Sequence, residues 1–182
     1  MIKLLLFLFI SQLFLLANTK IETYKLYKDK QYEAACTSGE QLLQQYKTDE
    51  EFLSLYAFSC LNSDHIDKLS LPISMLKSTP DSRANAAYLS VIVMQKNLLM
   101  HALVDQYDLQ PIKLPTTEHV LSIVFDLYTN DTGSKERRRY NYIDQKDSKK
   151  SYRLFVTKSG STPKIIIEEY YDKVMTIRHI YW

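Results

Sequence analysis

The chain reads as an α+β protein: an N-terminal α-helical bundle, then a small four-stranded antiparallel sheet, with a secretory leader in front. Two periods and one ratio predict this. Apolar residues recur at steps of three and four up to Tyr128, the spacing of a helix face, and beyond Thr129 they fall in short runs rich in Tyr, Ile and Val that alternate with polar residues. Fourteen Tyr against three Gly suits helices and antiparallel strands with few tight loops, and leaves little for the glycine-rich phosphate loops of nucleotide-binding enzymes. The expected divisions are a signal peptide over 1–17, a bundle over 18–128 and a β-meander over 129–182.

Lys3 precedes an apolar stretch from Leu4 to Ile10 and a second from Leu13 to Leu16, and a polar start follows Ala17. This is the layout of a signal peptide, shorter than the roughly 20 apolar residues of a membrane-spanning helix. Cleavage after Ala17 leaves about 165 residues with a formal charge of +1, and no stable membrane span. So even a balance predicts no strong attraction to nucleic acid.

The stretch from Tyr32 to Leu61 organises the bundle. Tyr32, Ala35, Cys36, Gly39, Leu42, Leu43 and Tyr46 share one helical face, and after Lys47-Thr48-Asp49 so do Phe52, Leu53, Tyr56, Ala57, Cys60 and Leu61. Thr48 lies midway between Cys36 and Cys60, so two antiparallel helices bring the thiols to the same level. A disulfide is expected, stabilising by about 3–4 kcal/mol through the closed loop, and an oxidising compartment would let it persist. Gly39 on the contact face fits a close approach of the two helices.

Tyr27-Lys-Asp-Lys-Gln-Tyr32-Glu-Ala-Ala35 resembles the turn of a tetratricopeptide or Sel1-type repeat, in which two aromatics flank a short polar turn and an alanine follows. The likeness spans about one repeat and lacks the Trp, Leu and Gly of that repeat's first helix. It implies stacked helical hairpins and a protein-binding groove, for which Tyr56, Tyr88 and Tyr107 are candidates by residue type.

A first short helix covers Ile21 to Lys28. Asp64 is expected to cap a helix carrying Ile66, Leu69, Ile73 and Leu76, with a kink or break at Pro72. Asp81 or Ser82 should cap a central helix through Ala84, Tyr88 and Ile92, and Asn97 should start another. Thr116 or Thr117 caps a last helix through Val120, Ile123, Val124, Leu127 and Tyr128. Four strands follow, at Arg139–Ile143, Tyr152–Thr157, Ile165–Tyr171 and Val174–Tyr181. Ile165, Ile167 and Tyr171 with Val174, Thr176 and Ile180 should form the face that packs on the helices.

No motif names a chemistry. The histidines, His65, His101, His119 and His179, have no metal-binding spacing, and neither a metal nor a cofactor is expected. Glu168 and Glu169 fall on opposite sheet faces, unsuited to joint acid/base work, and are read as solvent-facing charges with Arg178 opposite. Arg137, Arg138 and Arg139 beside Tyr140 and Tyr142 form the sharpest surface feature, able to bind an anionic group or simply to guard an edge strand. The expected function is a non-catalytic adaptor of a Gram-negative envelope, binding another envelope protein or a peptide in the periplasm. The alternative is a small-ligand carrier or hydrolytic enzyme where bundle meets sheet, using His119, Asp126 and arginines of the first strand.

Overall fold

Six helices precede a four-stranded antiparallel sheet in a computed structural model, which describes residues 19–109, 112–133, 139–160 and 162–182. The expected signal peptide, and Arg137 and Arg138, lie outside the described residues.

Helix α1 (Lys20–Lys28) is capped by Thr19, whose hydroxyl accepts from the Glu22 N–H. It turns through Lys30, in the left-handed region at φ 57°, into α2 (Tyr32–Leu42). Asp49 then caps α3 (Glu50–Asn62) by accepting from the Phe52 N–H at 3.0 Å. The equal-level argument holds: Cys36 and Cys60 are joined by a disulfide, with their Cα atoms 4.7 Å apart. Gly39 makes room for a ring rather than for backbone, since a Cβ there would stand 2.7 Å from Cδ2 of Tyr56.

Asp64, in the left-handed region at φ 66°, reverses the chain after α3. It caps no helix; a 3-10 turn (Ile66–Leu69) leads instead into the short α4 (Ser70–Met75). The expected break falls just ahead of Pro72, at Ser70, and Pro72 sits in the first turn of α4, where its missing N–H forfeits no intrahelical bond. Thr79, and neither Asp81 nor Ser82, caps α5 (Pro80–Asp105) by accepting from the Ser82 N–H.

Helix α5 runs 26 residues straight through the expected restart at Asn97. Asn97 is exposed, where asparagine costs only a few tenths of a kcal/mol, while Leu89, Ile92, Leu99 and Ala102 continue one buried stripe. By length and composition α5 is the one helix among the described residues that could cross a bilayer, but that stripe lies inside the protein, and α5 contacts α4, α6 and the sheet. The last helix, α6 (Val120–Asn130), starts later than expected, at His119, whose Nδ1 accepts from the Leu121 N–H.

The strands β1 (Arg139–Ile143), β2 (Lys150–Ser159), β3 (Thr162–Tyr171) and β4 (Val174–Tyr181) follow as a meander in sequence order. The β3–β4 hairpin turns through Asp172 and Lys173, both at positive φ, as a two-residue connection requires. Tyr140, Tyr152, Leu154, Ile165, Ile167 and Tyr181 are buried in the same core as the helices.

The inner face of β4 differs from the expected set. Glu169 pairs with Ile177 and Tyr170 with Met175, so Thr176 is an extra residue, a β-bulge that inverts the alternation beyond it. His179 and Tyr181 consequently pair with Ile167 and Ile165 on the helix side, and Ile180 faces outward beside Ile166. Tyr171 and Val174, beyond the helical layer, are exposed.

Candidate functional site

The two faces of the sheet present two separate constellations. On the inner side, His179 donates from Nδ1 to Asp64 at 2.8 Å and from Nε2 to Glu169 at 3.0 Å. Lys150 completes the group with an ion pair to Glu169 at 2.8 Å. Burial by itself would lower the His179 pKa, but the two carboxylates reverse that and raise it to about 9. Hydrogen bonding from His179, opposed by burial and helped by Lys150, holds Glu169 down at about 2. Nearby His119 goes the other way: burial, then the charge of His179, push it to about 4, so its ring is neutral at pH 7.

These groups line a cleft of about 370 Å³ whose apolar side is made by residues such as Phe58, Tyr88 and Ile123. The arrangement clamps the Asp64 turn to the end of β4. It is poorly placed for proton transfer, since both nitrogens of His179 are engaged and His119 is a weak base.

The outer face is a shallow, open hollow of about 530 Å³. Its floor is the cross-strand row Phe155, Ile166 and Ile180, continued by Arg139, since Arg139 pairs with Phe155, Phe155 with Ile166, and Ile166 with Ile180. The adjoining row is Arg153, Glu168 and Arg178, and Lys164, paired with Thr157, lies on the other side. Cations therefore bound an apolar strip.

Glu168 and Glu169 lie on opposite faces, and Glu168 faces Arg178, both as the alternation requires. They are not solvent-facing charges, however: Glu168 is 3% and Glu169 9% exposed. Arg178 Nε donates to Glu168 at 3.0 Å, Arg153 Nη1 at 3.3 Å and the Tyr170 hydroxyl at 2.6 Å, covering the carboxylate from three sides. Burial opposes its ionisation, yet these donors keep its pKa below the ordinary glutamate value.

Strand alternation divides the cluster that the sequence placed together. Arg139 lies on the outer face over the Phe155 ring, with Cζ 5.4 Å from its centroid. Tyr140 is buried on the inner side against Tyr128, and the Tyr142 hydroxyl donates to Asp131 at 3.3 Å. The three groove candidates do not converge either. Tyr56 is a core side chain under Gly39; Tyr88 lines the junction cleft against Phe58; Tyr107 is exposed and stacked on His101.

The alternative constellation is also dispersed. His119 lines the junction cleft, Asp126 a neighbouring hollow beside Asp144, and Arg139 the far face of the sheet. What the fold assembles is Asp64 with His179, 115 residues apart, a pairing that no spacing in the sequence signals. Among the described residues no group of His, Cys, Asp and Glu is arranged to hold a metal ion. Comparison with protein-family models, with curated proteins and with solved structures finds no match.

Proposed function

We propose that the protein is exported, processed after Ala17, and acts in the periplasm as a non-catalytic module that binds another envelope protein or a peptide through the open face of its sheet. The observation that carries this reading is the asymmetry of that sheet. One face is filled by helices, while the other holds three arginines and a lysine round an open hollow whose apolar floor is half-buried at Phe155 and Ile180 and buried at Ile166. Apolar surface rimmed by polar groups and left open is the usual mark of an interaction site.

The Cys36–Cys60 disulfide supports export, since the bond persists in an oxidising compartment and is rare in the cytosol. The packing of Tyr27 on Tyr32 at 5.4 Å, with Ala35 fully buried behind them, supports a tetratricopeptide-like hairpin as scaffold. In this reading the bundle positions the sheet, and the sheet makes the contact.

The test is photo-crosslinking in cells from single positions, because removing the sheet would strip buried residues from the shared core. A probe at position 157, beside the outer hollow, should capture one envelope protein in proportion; a probe at exposed position 97 on α5 should not. Capture from 97 alone would sink the sheet-face reading, and an intact mass that does not start at Asn18 would remove the processed leader.

The junction cleft favours a second reading, a small-ligand carrier, because His119 lines a partly apolar cavity. Thermal-shift screening with wild type and His119→Ala distinguishes it: a stabilising ligand lost in the variant would establish the cleft as a site.

A further inference from the structure

We infer that the occupant of the open sheet face is an extended acidic peptide segment, with apolar side chains seated on the Phe155–Ile166–Ile180 row and carboxylates on the cations around it. The inference rests on the preceding reading and adds the chemistry of the partner. Four cations, Arg139, Arg153, Lys164 and Arg178, surround the hollow against one carboxylate, Glu168. That carboxylate is buried and fully engaged, so it is closed to a further ligand, and among the described lining residues three positive charges stay uncompensated.

Ring contacts hold three of the cations in place, Arg153 while it also donates from Nε to Asn141 and from Nη1 to Glu168. Arg139 lies over Phe155, Arg153 Cζ is 4.9 Å from the Tyr170 ring centroid, and Lys164 Nζ is 4.7 Å from that of Trp182. Stacking fixes a guanidinium plane through its face and leaves N–H groups at its edge for a carboxylate. A fixed donor loses less entropy on binding than a free one.

The floor selects among anions. Phosphate polymers and acidic sugars bring no apolar group to cover Phe155, Ile166 and Ile180. A bilayer surface calls for apolar side chains that protrude, and Ile166 is only 5% exposed at the bottom of the hollow. An extended peptide presents every second side chain to one surface, so acidic and apolar residues two apart match a cationic rim and an apolar row.

The probe is a labelled peptide of the repeat Glu-Ser-Val-Ser, titrated with the mature, disulfide-intact protein and followed by anisotropy. Controls replace its Glu by Lys, or its Val by Ser. Binding is expected for the first peptide only, weakening on the order of tenfold when salt is raised or in the double variant Arg139→Glu/Lys164→Glu. Neither of these two residues touches Glu168, so the variant leaves the buried carboxylate paired, and Arg139→Lys/Lys164→Arg should restore binding.

Absence of binding by wild type, or unchanged binding by the charge-reversal variant, would overturn the inference. So would equal binding of the Val-free peptide, of inorganic polyphosphate or of phosphatidylglycerol vesicles, which would make the face a general anion surface. A partner captured from position 157 alongside a silent acidic probe removes this inference and leaves the reading above. Probe binding with no captured partner does the reverse.

Discussion

Folding stability should pass through a maximum near pH 6.5, with its two limbs written by His119 and His179. The folded pKa of His179 is about 9 against an ordinary 6.5. The folded chain therefore holds this proton more tightly than the unfolded chain, and the stabilisation is complete below 6.5 and lost between 6.5 and 9. Its side chain is 15% exposed, and Asp64 and Glu169 are 25% and 12%, so solvent screening removes little. At about 1.4 kcal/mol per unit, the alkaline limb amounts to about 3 kcal/mol. His119, lowered to about 4, acts with opposite sign: between 6.5 and 4 the unfolded chain takes up a proton that the folded one refuses, so stability falls by a similar amount as pH drops. Glu169, held at about 2, extends the acid limb below pH 4.5.

Urea unfolding of the oxidised protein, followed by tyrosine and tryptophan fluorescence at pH 5, 6.5 and 8.5, measures these limbs. His179→Gln should flatten the alkaline limb. It should also soften the acid one, because part of the depression of His119 comes from the charge of His179. His119→Gln should flatten the acid limb alone. A wild-type stability that is level or rising from pH 6.5 to 9, or an alkaline limb retained in His179→Gln, would refute the clamp.

Replacing both cysteines by alanine should cost about 3 kcal/mol in urea unfolding, matched by wild type under reductant; alkylation of the folded, unreduced protein should label neither thiol. Gly39→Ala should destabilise by about 1–2 kcal/mol through the clash with Tyr56, despite alanine's better helix propensity, and Tyr56→Leu should recover part of the loss; a more stable Gly39→Ala would contradict that packing. Glu50 accepts from the N–H groups of Lys77, Ser78 and Thr79, and the first two of these chiefly hold its pKa at about 2. Glu50→Gln should speed amide exchange at these three positions while α5 stays protected, and unchanged exchange there would show the anchor to be dispensable.

The sequence by itself determined the α+β order, the Cys36–Cys60 pairing, the spans of β1 and β4, and that Glu168 and Glu169 fall on opposite sides of the sheet. Each rests on a local period or on equal arc lengths about a turn, which need no knowledge of the rest of the chain. Only the tertiary structure decided the face of β4, because the extra Thr176 inverts the alternation and depends on how β3 pairs with it. It decided that α5 runs through Asn97, since a buried stripe on both sides outweighs one weak helix former. It also made both candidate sites. Arg139, Arg153, Lys164 and Arg178 sit on four different strands, and Asp64 meets His179 across 115 residues. Convergence of that kind is fixed by register and packing, and leaves no spacing for a sequence to show.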